Sequence, residues 1–292
     1  MKALAVARYT MIELSRRRIL LVFFIIGAAG LLLFGIGFRV LYSFATSGNG
    51  GFVATNVPPD VFNRILELQF LSYLYGALST FALLIAFGIG MTTIYHDLES
   101  GAAVSIFSKP VTRAEFTAGK IAAAVVSLVV IVGLLAVEAR LLMLLFPGAG
   151  LEGSVTGEVI ATTANTLLLM LLVLALSTWM NNIVAAIVAF VYYNVVTGVI
   201  VAVHSLFAGG AFDNAFLKAI FDVLYWLVPH ALVSSAPGDL VRAQAALSNE
   251  PSGGRVVALV PAASGFGDIV WWAFLVVLFA GLVYLAVRRK QV

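Results

Sequence analysis

Six runs of the chain, 19–41, 71–94, 120–146, 155–179, 183–206 and 269–287, are predominantly apolar. Each is about 20 residues or more, the length an α-helix needs to cross a ~30 Å hydrocarbon layer. Lipid offers backbone N–H and C=O groups no partner, so each run has to close its own hydrogen bonds as a helix. The runs are rich in leucine, valine, isoleucine and alanine and lack the strict alternation of a barrel strand. The chain therefore reads as an all-α integral membrane protein with six transmembrane helices. Its 292 residues are 62% hydrophobic and 11% charged, against roughly 25% charged in soluble domains. A water-facing surface cannot be assembled from that inventory.

Lysine and arginine in the flanks orient the spans. With both termini inside, the inner side holds Lys2, Arg8, Arg16, Arg17, Arg18, Lys109, Arg113, Lys120, Arg288, Arg289 and Lys290. The outer side holds Arg64, Lys218, Arg242 and Arg255, mostly in one long loop that counts little for topology. This predicts a multi-pass protein of the cell (cytoplasmic or inner) membrane with both termini cytoplasmic. The first run exceeds the ~7–15 residues of a signal core and a long basic segment precedes it, so the first span is expected to stay uncleaved although "SFA" at Ser43–Ala45 resembles a cleavage site. The net charge of +3, clustered beside apolar runs, suits lipid headgroups and not nucleic acid. The chain has no cysteine, and His96, His204 and His230 lie far apart without metal-ligand spacing.

At the amino terminus, Leu4, Ala7, Met11 and Leu14 recur at helical spacing while Lys2, Arg8 and Glu13 fall off that stripe. This predicts an amphipathic interfacial helix over 1–18, with Arg16–Arg18 as snorkelling anchors before the first span. A first outer loop covers 43–69. The apolar stretch 214–230 is short, carries Lys218 and Asp222 and ends at Pro229, so it reads as an interfacial or re-entrant helix and not a seventh span. A second short amphipathic helix is expected over 237–247, followed by a loop at 248–254. Together these make an outer loop, 207–268, with short helices before the sixth span.

The polar interval "HDLESGAAVSIFSKPVTRAEFTAGK" between spans two and three is the only sizeable inner loop (95–119). Asp97 and Glu99 suit a helix start, where the dipole favours carboxylates. Leu98, Ala102, Ile106 and Phe107 would form the apolar face of a short helix. Pro110 halts it and pushes Lys109 out of helical conformation. "VTRAEF" then reads as a capping box between Thr112 and Glu115, with Val111 and Phe116 as a hydrophobic staple. Such a cap is worth about 1 kcal/mol, so the third span begins below the membrane at a defined angle. A plain connector needs neither feature; this loop is built to be docked against.

The order "DLESGA…SKPVTRAEFTAGK" resembles the first cytoplasmic loop of ABC-2 type transporter permeases, with an acidic-rich start and a Lys-Pro-x-x-Arg-x-x-Phe-x-x-Gly-Lys pattern. Lys109, Pro110, Arg113, Phe116, Gly119 and Lys120 match that pattern. The order of elements is similar along nearly all of the chain. The resemblance implies one transmembrane domain over 1–292 that pairs with a second copy and with two cytoplasmic ATPase subunits. Those subunits would bind ATP and Mg; this chain would hold no cofactor. It implies a coupling helix from Asp97 to Phe107, including Leu98, Glu99, Ser100, Gly101 and Ile106, with Lys109, Pro110 and Arg113 beside it. Thr112, Glu115, Phe116, Gly119 and Lys120 would form the lever that carries displacement into the membrane. Export of a hydrophobic or amphipathic substrate is the implied activity.

The chain has no engine of its own. A Walker A loop needs G-x-x-x-x-G-K-[ST], and "EFTAGKI" lacks the leading glycine and the hydroxyl residue. No HExxH or G-x-S-x-G occurs, so the chain is not read as an enzyme. Within the spans, Arg39, Glu138 and Arg140 lie towards outer ends. Glu138 and Arg140, two apart, cannot face each other; the three read as snorkelling residues or structural pairs, Glu138 with Arg39 across helices among them, or as part of a substrate path. Asn165, Asn194 and His204 are candidates for interhelical hydrogen bonds or a translocation path. Tyr192, Tyr193, Tyr225, Trp226, Trp271 and Trp272 read as aromatic anchors. Gly27, Gly30, Gly35, Gly37, Gly88 and Gly90 read as close-packing positions. The rival class, a secondary transporter or channel, predicts inverted repeats and intramembrane carboxylates at mid-depth, and neither is evident. A tag placed after Val292 is expected to be shielded from a membrane-impermeant reagent in intact cells; labelling there would overturn the even number of spans.

Overall fold

The computed structural model describes residues 2–16, 18–46, 59–95, 97, 111–144, 152–208, 214–248 and 262–289, and every extended regular element among them is helical. In chain order these are α1 (Lys2–Arg16), α2 (Arg18–Thr46), α3 (Pro59–Thr92), α4 (Arg113–Met143) and α5 (Glu152–Trp179). Then come α6 (Asn182–Val191), a π-helical stretch (Tyr192–Thr197), α7 (Gly198–Ala208), α8 (Ala215–Leu227), α9 (Ala236–Ser248) and α10 (Phe266–Arg289). Among the described residues, 6 segments are long and apolar enough to cross a membrane: Leu20–Phe44, Asp60–Thr92, Arg113–Met143, Val155–Trp179, Asn182–Phe207 and Phe266–Arg289. The all-helical, six-span reading of the sequence holds, and the chain has the architecture of a multi-pass membrane protein.

Spans α3 and α5 form the centre: 56% of the most apolar window of each is buried, against 22–28% in the other four. On α3, Phe70, Leu74, Leu78, Ala82, Ile85 and Ile89 recur every three or four residues, all at 1% exposure or less. They pack on Leu168, Met170 and Leu171 of α5 and on Ala124, Leu128, Val132 and Leu135 of α4. Lipid supplies no hydrophobic drive between helices, so close approach matters. At Gly90 a Cβ would stand 2.9 Å from the Met170 carbonyl, so only glycine lets α3 lie this near α5. Phe81 fills the space over Gly30 in the same way, whereas Gly37 faces open space and takes no part in packing.

The structure differs from the sequence reading in a boundary, a buried helix face and the place of two tyrosines. Part of the expected outer loop 43–69 is helix: α3 begins at Pro59, with Asp60 in its first turn. Proline at the first helical position and an early carboxylate both favour that start. The added turns carry Leu68, which packs with Leu71, Tyr75, Val155, Ala236 and Leu240. The second correction is the stripe on α1. Val6, Ala7, Thr10 and Leu14 are buried, while Leu4 (76%) and Met11 (37%) are exposed. Helical periodicity set the spacing correctly, but contact with α4 rotated the buried face. Tyr192 and Tyr193 lie in the π-helical middle of their span and not at an end, where an anchor belongs.

Gly90→Val is expected to lower the unfolding temperature in detergent through overpacking worth about 1–3 kcal/mol. Gly37→Ala should leave it nearly unchanged, and equal shifts in the two variants would contradict the packing described.

Candidate functional site

The first turn of α4 is assembled as its residues dictate. Thr112 takes extended backbone angles, its hydroxyl accepts from the Glu115 N–H at 3.2 Å, and the Thr112 N–H donates to Glu115 Oε2 at 2.9 Å. Val111 packs on the cluster that contains Phe116, with Val6, Ile94, Leu174, Val283 and Val287. Capping box and staple are thus both present. Arg113 adds a tie of another kind: its Nη1 donates to the carbonyls of Val287 (3.1 Å) and Arg288 (2.7 Å). A guanidinium satisfies the last carbonyls of a helix and complements its dipole, so the beginning of α4 is bound to the end of α10. Arg289, one residue on, lies over the Trp179 ring at 5.4 Å, where α5 ends.

Two turns into α4, the Lys120 side chain has 0% exposure. Its Nζ lies 2.5 Å from Asp97 Oδ2 and 3.2 Å from Glu13 Oε2, with the Phe116 ring at 5.9 Å. The contact with Asp97 is an ion pair outside hydrogen-bonding angles; the one with Glu13 is also a hydrogen bond. An isolated buried ammonium costs several kcal/mol, and only close counter-charges offset that penalty. The carboxylates come from different elements: Glu13 from α1, Asp97 from the segment just after α3. Beside the lysine, a Cβ on Gly119 would meet the Ala3 carbonyl at 2.7 Å and Val6 Cβ at 2.8 Å. The absent side chain lets α1 lie directly on α4. One end of the molecule is therefore latched: α1, the exit from α3, the start of α4 and the end of α10 converge there.

Asp97 was expected among residues facing a partner. It is 4% exposed and its carboxylate turns inward onto Lys120, because the buried ammonium outcompetes solvent for it. Leu98, Glu99, Ser100, Gly101, Ile106, Phe107, Lys109 and Pro110 lie outside the described residues.

A second polar cluster lies at the opposite end. Asn165 of α5 donates to the Leu232 carbonyl (2.8 Å) and accepts from the Leu232 N–H (2.7 Å). Asn165 stands ten residues, about 15 Å of rise, inside Val155. Non-helical backbone at that depth needs protein partners, and it has them. The N–H of Val233 donates to Ser264 Oγ, Ser264 N–H donates to the Val233 carbonyl, and Ser234 donates to Glu158. Nearby, the Tyr225 ring stacks between His204 (4.2 Å) and His230 (3.8 Å). His204 faces Asp222 at 3.2 Å, His230 faces Asp268 at 3.3 Å, and the Tyr225 hydroxyl donates to Asp268 at 3.0 Å. Burial, then the Asp268 charge and its hydrogen bond, push the Tyr225 phenol well above its usual range, so it stays a donor.

The remaining polar residues do not converge. No ion pair joins Glu138 to Arg39: Glu138 Oε1 is buried without a hydrogen-bond partner, and Arg39 lies over the Tyr42 ring at 5.6 Å. Arg140 stands in the last turn of α4. Asn194 is exposed and bonds back to the Phe190 carbonyl of its own helix at 3.0 Å. Among the described residues no group of three or more His, Asp or Glu side chains is disposed to hold a metal ion. From the sequence, Glu13 and Asp222 were noted only as charges on or within apolar stretches, and Glu158 and Asp268 not at all. The one available signal was Lys120 at the head of an apolar run, which needs acids from elsewhere. No protein-family model matches the chain, and no curated protein matches it at a significant level.

Lys120→Ala strands Asp97 in the interior and is expected to destabilise the fold by about 3–5 kcal/mol. Lys120→Met combined with Asp97→Asn should cost clearly less. Thermal unfolding of the two variants checks the ordering, and equal losses would remove the ion pair from the account. Asn165→Ala should speed hydrogen exchange at the Leu232 amide while leaving α1 amides unchanged.

Proposed function

We propose that the chain is the permease subunit of an ATP-binding cassette transporter of the ABC-2 type, working as a homodimer with two copies of a separate cytoplasmic ATPase. ATP and Mg belong to that partner. Both termini and the latched end face the cytoplasm of the cell membrane, and the substrate is a hydrophobic or amphipathic molecule moved outward. The reading is supported above all by Lys120, which joins the entry of the polar loop to α4 through a buried ion pair.

The mechanical logic follows from stiffness. α4 spans 31 residues, about 46 Å of rise, which exceeds the ~30 Å hydrocarbon thickness. Its capped first turns therefore stand clear of the lipid as one rigid rod with the transmembrane part. Closure of an ATPase pair against the loop would displace Asp97, and the Asp97–Lys120 contact hands that displacement to α4 at its base. Glu13 and Gly119 make α1 move with it, and Arg113 carries the motion to the end of α10. A flexible linker at any of these points would absorb the shift.

The test is reconstitution of the chain with the ATPase that co-purifies in mild detergent. Asp97→Asn and Glu13→Gln are expected to reduce coupled ATP hydrolysis several-fold without releasing the ATPase. Substrate movement by the purified chain with no nucleotide-hydrolysing companion would favour a secondary transporter or channel and overturn the proposal.

A further inference from the structure

Between α1, α2 and α4 lies a groove of about 300 Å³, walled by Met11, Leu14, Leu21, Phe24, Val130 and Leu134. It opens on the outer surface of the bundle, where Leu21, Val130 and Leu134 are each more than half exposed. This is the flank of α1 that its contact with α4 leaves uncovered. Helical spacing puts a cation on each lip. Arg8 precedes Met11 by three residues and Ser15, another lining residue, by seven, so it shares their flank. Arg18 precedes Leu21 by three and shares the corresponding face of α2. Both arginines are exposed, and neither has a carboxylate partner among the described residues. Three other described cations are paired: Arg64 has Glu67, Arg242 has Asp239, and Lys120 has two acids.

We infer that this groove is a binding site for one anionic phospholipid of the leaflet on the α1 side. One acyl chain occupies the apolar cleft and the phosphate lies between the Arg8 and Arg18 guanidiniums. Guanidinium binds phosphate through paired N–H donors, and apolar walls with two unpaired cations at the mouth match an amphiphile with an anionic head. A zwitterionic lipid brings an ammonium that the same two arginines repel. The lipid wedges α1 against α2 and α4, so the charge of the leaflet bears on how firmly α1 is seated. The inference does not depend on the chain being a transporter subunit.

The experiment uses the purified, delipidated full chain in mild detergent, with phosphatidylglycerol and phosphatidylcholine as probes, and counts retained lipids by native mass spectrometry. The native chain is expected to keep one phosphatidylglycerol with about a tenfold or greater preference. Arg8→Gln with Arg18→Gln should abolish the preference, and Arg8→Lys with Arg18→Lys should keep most of it. Ser127 of α4 also lines the groove, so Ser127→Leu, which fills it and leaves both arginines in place, should lower retention of both lipids; Arg242→Gln should change nothing. Equal retention of the two lipids by the native chain, a preference that survives the double glutamine variant, or undiminished retention in Ser127→Leu would each overturn the site. So would displacement of the lipid by soluble glycerol phosphate at equal concentration, because binding would then need no acyl groove.

Discussion

An ammonium group with no access to water is tolerated only where negative charge is held against it. Lys120 is fully buried, and the two carboxylates that make this tolerable come from parts of the chain far apart in sequence, Glu13 and Asp97. That requirement organises one end of the molecule. It seats α1 on α4, draws the chain leaving α3 inward, and sets the base of the capped α4 among its neighbours. The Thr112–Glu115 cap and the Arg113 bonds to the final carbonyls of α10 are local reinforcements of the same junction. Removing the charge from the centre would leave those reinforcements with nothing to align.

The opposite end solves a different problem by similar means. There a stretch of non-helical backbone around Leu232 descends between α5 and α10, and its polar groups are met by Asn165, Ser264 and their neighbours. The Tyr225 ring between two histidines, each facing an aspartate, adds a stacked polar column beside it. That end is held by hydrogen bonds between segments distant in sequence. One end is tied to α4 and the other to α5.

Much of this was legible beforehand. The capping box was readable because it is a local device: Thr112 and Glu115 are three residues apart and satisfy each other. The helical character and number of the spans were readable because length and apolarity decide them. The boundary at Pro59 was missed because Asn63, Arg64 and Glu67 make those turns look like loop, yet Leu68 and Phe70 bury them. The α1 stripe was displaced because periodicity specifies the interval between apolar residues, not which side of an amphipathic helix finds a partner. The expected Arg39–Glu138 pair failed for a related reason: similar depth in the membrane says nothing about rotation about the helix axis.

Patterns within one turn or one span therefore belong to the primary sequence: six apolar helices and the cap at Thr112. Such features depend on residues no more than about four positions apart. The partners of Lys120, the bonding of Asn165 to Leu232 and the stacking of His204 and His230 on Tyr225 emerged only when distant segments were brought together. Burial gives those side chains their meaning, because a charge or amide removed from water has to be matched, and the match is chosen by packing in three dimensions.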